Sequence, residues 1–142
     1  MKLANGLGRL GVWYSTDKLN AGQLADLMKA VEKNGYSAFW HPESRGYEAM
    51  ALGSYLLSKT ETITIGSSIA NIYARDAFTA KRATVSLNDW YGGRFILGVG
   101  VSHIPMVEGV RGHRYDKPIP AMRAGRCSAS RPKANVPCTS CC

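Results

Sequence analysis

From Arg9 to Val101 the chain alternates between two kinds of segment, and this alternation constrains its fold more than any other feature. "GRLGVWY" (8–14) is short and apolar and ends in aromatics, as a buried strand would. "NAGQLADLMKAVEKNG" (20–35) then carries Leu24, Leu27, Met28 and Val31 at helical spacing. Asn20 is placed to cap it, Gln23 follows three residues on, and Asn34-Gly35 supplies a stop. "SAFWHP" (37–42) is a second strand closed by proline. "GYEAMALGSYLLSKT" (46–60) is a second helix, with Ala49, Leu52 and Leu56 on one face.

The pattern then repeats. "TITIGSSIA" (62–70) is rich in β-branched residues and strand-like. "DAFTAKRATVSLNDWYGG" (76–93) is helical, with Asp76 as its cap and an apolar stripe through Ala80, Ala83, Leu87 and Trp90. "RFILGVG" (94–100) is the fourth strand. Strand and helix in strict succession with short connections predict right-handed βαβ units and a parallel sheet. The strands lack polar–apolar alternation because parallel strands are covered on both faces. Beyond His103 a short helix is predicted near Met106–Val110, and another starts at Pro118.

Charge and cysteine both point away from this framework. The formal charge is +8, but residues 1–110 hold eleven Lys/Arg against nine Asp/Glu, so the excess lies in the last quarter. No aromatic residue follows Tyr115 to stack on bases, so nucleic acid is not expected as a partner. Cys127, Cys138, Cys141 and Cys142 all fall in "RCSASRPKANVPCTSCC", where a lone Cys-x-x-Cys pair without supporting histidine gives no expectation of a metal site. Residues 125–142 offer no apolar face and are expected to be disordered. No apolar run approaches the roughly 20 residues of a spanning helix, and the start of the sequence carries no secretory apolar core. A cytoplasmic location is the expectation.

Ligands of parallel α/β folds gather at the carboxyl ends of the strands. Here those ends bring Trp13-Tyr14, Trp40-His41-Pro42-Glu43, Ser67 to Asn71, and Ser102-His103 to one rim, which suits a flat ligand with polar edges. His41 taken alone reads as a surface histidine. The glycines of "GVGVSH" serve equally for a turn or for close approach of a ligand. "GLGRLG" at Gly6 matches a dinucleotide fingerprint only literally, since no strand precedes it. Arg75-Asp76 reads first as a helix start, with Arg75 as the alternative holder of an anionic group. Ser102 and His103 lack an acidic partner, which argues against a hydrolytic triad.

"GRLGVW", "GYSAFWHPES", "IGSSIANIYARDAF" and "GGRFILGVGVSH", in this order, resemble the N-terminal half of the luciferase-like monooxygenase superfamily. "EGVRGHRYDKPIPAMRA" is similar to the segment after strand four in the coenzyme F420-dependent oxidoreductase branch of that superfamily. The resemblance covers residues 7–124 and implies an α/β fold of about four βα units, part of a TIM (β/α)8 barrel. It implies coenzyme F420, or alternatively FMN, at the strand ends, with hydride transfer or monooxygenation of a small organic substrate. The family's non-prolyl cis peptide in strand three matches Ser68-Ile69, with Ala70 and Asn71 beside it. The acid/base position after strand four matches His103, and Glu43 matches the acidic residue after strand two. Ser44 stands where many members have histidine. The resemblance thus assigns proton handling to Glu43 and His103, and cofactor contact to Trp13, His41, Ser68, Ile69, Ala70, Asn71, Gly100, Val101 and Ser102.

A family barrel needs roughly 250 residues, so this chain is expected to form residues 1–124 of a half-barrel and a separate tail, 125–142. The abrupt change after "KPIPAMRA" is what an out-of-frame read would produce. On that expectation the chain is a truncated oxidoreductase with weak or no activity. The alternatives are a homodimer of half-barrels that restores a complete enzyme, and a non-enzymatic module that grips an acidic partner through the basic tail.

Overall fold

Three buried aromatic and aliphatic side chains in one row, Phe39, Ile65 and Phe95, hold the sheet against its helices. The computed structural model describes residues 7–123. In it β1 (Gly11–Trp13), β2 (Ala38–His41), β3 (Thr64–Ser67) and β5 (Phe95–Ile96) form a parallel sheet in the order β1-β2-β3-β5. Between them run α1 (Ala21–Lys33), α2 (Ala49–Ser58) and α3 (Ala77–Trp90). β4 (Ala70–Asn71) and β6 (Val99–Gly100) pair in parallel beyond the ends of β3 and β5. A π-helix, Pro105–Val110, comes next, and 118–123 are again helical. The tail of 125–142, with its four cysteines and the expectations attached to it, lies outside the described residues, as does Gly6. No helix among the described residues is long and apolar enough to cross a membrane.

Local chemistry explains the helices. Asn20 Oδ1 accepts from Gln23 N and Gln23 Oε1 accepts from Asn20 N, both at 3.0 Å, so a reciprocal capping box starts α1. Gly35 closes it at φ +76°, a conformation glycine adopts without a Cβ clash. Glu48 caps α2 and Asp76 caps α3. Leu24, Met28 and Val31 of α1 and Leu52, Leu56 and Leu57 of α2 pack on one face of the sheet. Arg94 seals that layer: its guanidinium donates to the carbonyls of Leu57, Thr60 and Ile63 and to Thr60 Oγ1 at 3.0–3.2 Å. It thereby supplies donors at the C-terminal end of α2, where carbonyls lack helical partners.

Several expectations are corrected. β1 is an edge strand whose residues are exposed or half-buried, not buried, because it has a neighbour on one side only among the described residues. α2 begins at Ala49, three residues later than the pattern suggested. Strands three and four are each split in two. Ser67 Oγ donates to Gly98 O at 2.9 Å and accepts from Gly98 N at 3.1 Å, and this stitch takes the place of a continuous ladder. Trp90 is 71% exposed, so the stripe of α3 turns away from it. The inward position goes to Asn88, whose side chain accepts from Phe95 N and donates to Phe95 O.

Candidate functional site

The register of the sheet sorts the strand-end residues onto two faces. Trp13, Trp40, Gly66 and Ile96 are paired in one row. They lie one residue out of step with the core row, and side chains alternate along strands, so they occupy the face away from the helices. No described element covers that face, and Trp13 is 57% exposed. A Cβ on Gly66 would run into the Trp40 ring, so glycine lets the indole lie across β3.

The row ends at a bulge. The Ser68-Ile69 peptide is cis, at the position the resemblance indicated. Trp13 Nε1 donates to Ser68 O at 3.3 Å, which ties the indole edge to the bulge. Opposite it, a Cβ on Gly100 would sit 2.8 Å from Ile69 Cγ1, so the small residue lets the Ile69 side chain settle against β6. Val101 and Ser102 are half-buried and His103 is exposed. Ser102 has φ +57°, which turns the chain into the π-helix, and Tyr115 Oη donates to its carbonyl at 3.3 Å. The Trp13–Ser68 bond and the contact of Ile69 with Gly100 mark one rim, and Val101, Ser102 and His103 continue the chain from Gly100.

Four of the expected site residues do not reach it. His41 is fully buried and, two residues beyond Phe39, falls on the helix-covered face. It is neither the surface histidine nor an exposed rim residue that the sequence suggested. Both its ring nitrogens lack a hydrogen-bond partner. Burial pushes its pKa below the ordinary 6.5, against the opposing influence of the Pro42 carbonyl and the charges of Glu43 and Glu48. Ala70 and Asn71 are buried in the β4–β6 pairing.

Glu43, the fourth, is buried in an ion-pair network. Both carboxylate oxygens take Arg75, with Nη1 donating to Oε2 at 3.0 Å and Nη2 donating to Oε1. Asn71 N also donates to Oε2 at 2.7 Å. Arg75 Nη2 reaches Glu48 at 2.6 Å as well. Burial alone would raise the Glu43 pKa, but the Arg75 and Asn71 hydrogen bonds and the Arg75 charge bring it below the ordinary 4.5. A carboxylate so fully engaged is an acceptor that fixes two loops, and it carries no proton to donate near neutrality. Asp76 is the helix cap the sequence suggested, whereas Arg75 holds protein carboxylates.

Sequence reasoning brought Trp40 and His41 to the rim together without sorting them onto opposite faces, and missed Arg75 as the partner of Glu43. The first was legible: alternation from Phe39 would have separated Trp40 from His41. The second was not, since residues 43 and 75 meet only through the tertiary fold. Beside the network lies a cavity of about 810 Å³, lined by Arg45, Tyr47, Tyr73, Arg75, Arg111 and His113 among others. No group of His, Cys, Asp and Glu among the described residues is arranged to hold a metal ion.

Comparison with known proteins accords with this geometry. A sequence model of luciferase-like monooxygenases matches residues 6–123. A Mycobacterium tuberculosis protein assigned as a coenzyme F420-dependent oxidoreductase is 32% identical over 115 residues. That alignment covers 81% of this chain and 32% of the relative, so the chain spans about a third of the length of that curated relative. Among solved structures, the coenzyme F420-dependent tetrahydromethanopterin reductase of Methanopyrus kandleri superposes with a TM-score of 0.72 at 22% identity, over 85% of this chain and 39% of its own. The FMN-bound oxygenating constituent of 3,6-diketocamphane monooxygenase from Pseudomonas putida gives 0.67 at 13% identity, over 75% and 32%. These likenesses show the fold: an α/β arrangement corresponding to part of a TIM barrel.

Proposed function

The chain belongs to the luciferase-like monooxygenase family, and from that membership we propose that its open sheet face is one wall of the site for a reduced deazaflavin or flavin, with coenzyme F420 favoured over FMN. The single observation that carries this reading is the wall itself. Trp13 and Trp40 share one row, the Trp13 indole is bonded to the bulge at Ser68, and Gly66 and Gly100 leave room for the Trp40 and Ile69 side chains. These residues fit a planar ring, which requires a flat apolar floor with few polar atoms. The relative assigned to coenzyme F420 supports the choice of cofactor. When bound, either cofactor supplies hydride transfer, and FMN also supplies reaction with dioxygen.

The chain's own residues would orient the ring and manage a proton. Trp13, Ser68, Ile69 and Gly100 hold its faces and exclude water. His103, exposed where the chain leaves β6, donates the proton as general acid. Ser102, whose left-handed conformation sets the exit from β6, aims that imidazole. Glu43 serves as scaffolding: with Arg75 it pins the loop after β2 to the loop after β4. Titration of coenzyme F420 into the protein tests the reading, with tryptophan emission as the signal. Saturable quenching that Trp13→Ala weakens is the expected result.

One observation favours a second reading of the active form. Within the described sheet, β1 and β5 are both unpaired on their outer sides, and the strands run parallel. Two copies related by a twofold axis along the barrel could pair β1 of one with the β5 edge of the other. That arrangement would close eight strands over the exposed tryptophan face and remove both edges.

A further inference from the structure

The cavity beside the Glu43–Arg75 pair contains more positive charge than the protein uses. Arg75 is fully committed to Glu43 and Glu48. Arg111 is not: its Nη2 stands 3.9 Å from Glu43 Oε1, too far for a hydrogen bond, and its buried Nε has no acceptor. Its side chain makes no hydrogen bond among the described residues, although a quarter of it remains accessible. Arg45, also in the lining, forms no ion pair among the described residues. Tyr73 adds a buried hydroxyl without a partner. Its ring lies 6.2 Å from both His113 and Tyr115, giving the cavity an aromatic side.

A buried guanidinium Nε left without an acceptor, on a side chain that lines a cavity, is an incomplete arrangement, because buried donors are normally satisfied. Carboxylate and phosphate are the groups whose paired oxygens match its fork. Glu43 does not fill that role: its Oε1 stands 3.9 Å from Arg111 Nη2, and its carboxylate is oriented by Arg75 and Asn71 instead. The cavity volume is in the range of small-molecule sites. We propose that this cavity binds the anionic group of a small molecule, a carboxylate or a phosphate, through Arg111, with Arg45 as a second cation and the Tyr73–His113 side against the ligand's body. The proposal rests on the cavity alone and stands apart from the cofactor reading.

The test is titration of the full chain with inorganic phosphate and with benzoate, following the side-chain Nε–H resonance of Arg111 by ¹⁵N-correlated NMR. The two anions separate phosphate from carboxylate recognition. A saturable shift with at least one of them is expected. Arg111→Gln should weaken binding by about tenfold or more, Arg111→Lys should restore part of it, and Arg45→Gln should weaken it by less. Thermal unfolding of each variant verifies that it is folded. Absence of saturable binding by either anion would overturn the proposal. So would binding of equal strength in folded Arg111→Gln, because the anion would then sit elsewhere, on the basic tail for example. Cofactor titration of the same variants keeps the two readings separable, since Arg111 does not belong to the tryptophan wall.

Discussion

Glu43 and His41 lie two residues apart, and burial has opposite consequences for them. Glu43 keeps its charge because Arg75 and Asn71 replace the water it lost. Burial holds the His41 pKa below its ordinary value, because the Pro42 carbonyl and the charges of Glu43 and Glu48 offset only part of the lost hydration. Replacing Arg75 with methionine would leave a buried carboxylate without its main partner. A loss of about 3 kcal/mol is expected, read as a lower urea midpoint, and an unchanged midpoint would show that the pair is dispensable. For pH dependence, both groups have folded pKa values below their unfolded ones, so the unfolded chain binds more protons as pH falls. The His41 contribution is fully present above 6.5 and declines as pH falls towards its folded value. The Glu43 contribution is retained until pH falls below the ordinary carboxylate value of 4.5 and then declines. Melting temperature should therefore decrease on acidification in two stages. His41→Leu should flatten the first stage and leave the second, whereas a first stage that persists in this variant would remove His41 as its cause.

At the scale of elements, sequence was informative wherever neighbours in the chain decide the structure. The α1 capping box is wholly local, and its start was legible to the residue. Asn20→Ala should cost about 1 kcal/mol by denaturant unfolding, and a change within a few tenths would mean the box contributes little. The breaks in strands three and four were not legible, because they depend on Ser67 meeting Gly98 across the sheet. A Cβ on Gly98 would collide with the Ser67 carbonyl oxygen. Gly98→Ala should therefore destabilise by about 1–3 kcal/mol and disturb both β-pairings. Native-like stability in that variant would show that the bulge can relax. Trp90 was misjudged for a related reason: helical spacing places it near Leu87, but the free backbone groups of Phe95 draw Asn88 inward instead. Sorting the site residues needed the same long-range information. Alternation was enough to separate Trp40 from His41, but not to foresee that Glu43 would be paired with Arg75.

For the whole molecule, the decisive feature is a parallel sheet covered by helices on one face and, among the described residues, uncovered on the other. Parallel sheets are normally covered on both faces, so the exposed indole of Trp13 and the two unpaired edges require a partner wall. If a second copy supplies it, sedimentation should show dimer at about tens of micromolar, with the dimer fraction rising with concentration. Monomer alone at that concentration would eliminate the closed homodimer. The family fold was foreseen from motif order. The open face was not, since the sequence pattern was read as strands covered on both faces, nor was the cationic cavity, because Arg45, Arg75 and Arg111 come from three separate loops. The most direct measurement is the titration of the chain with reduced coenzyme F420, and in parallel with FMN, monitored by tryptophan emission in wild type and Trp13→Ala. The account predicts saturable quenching by F420, tighter than by FMN and weakened at least several-fold in the variant. Quenching by neither cofactor, or quenching that Trp13→Ala leaves unchanged, would contradict the assignment of the open sheet face as the cofactor wall.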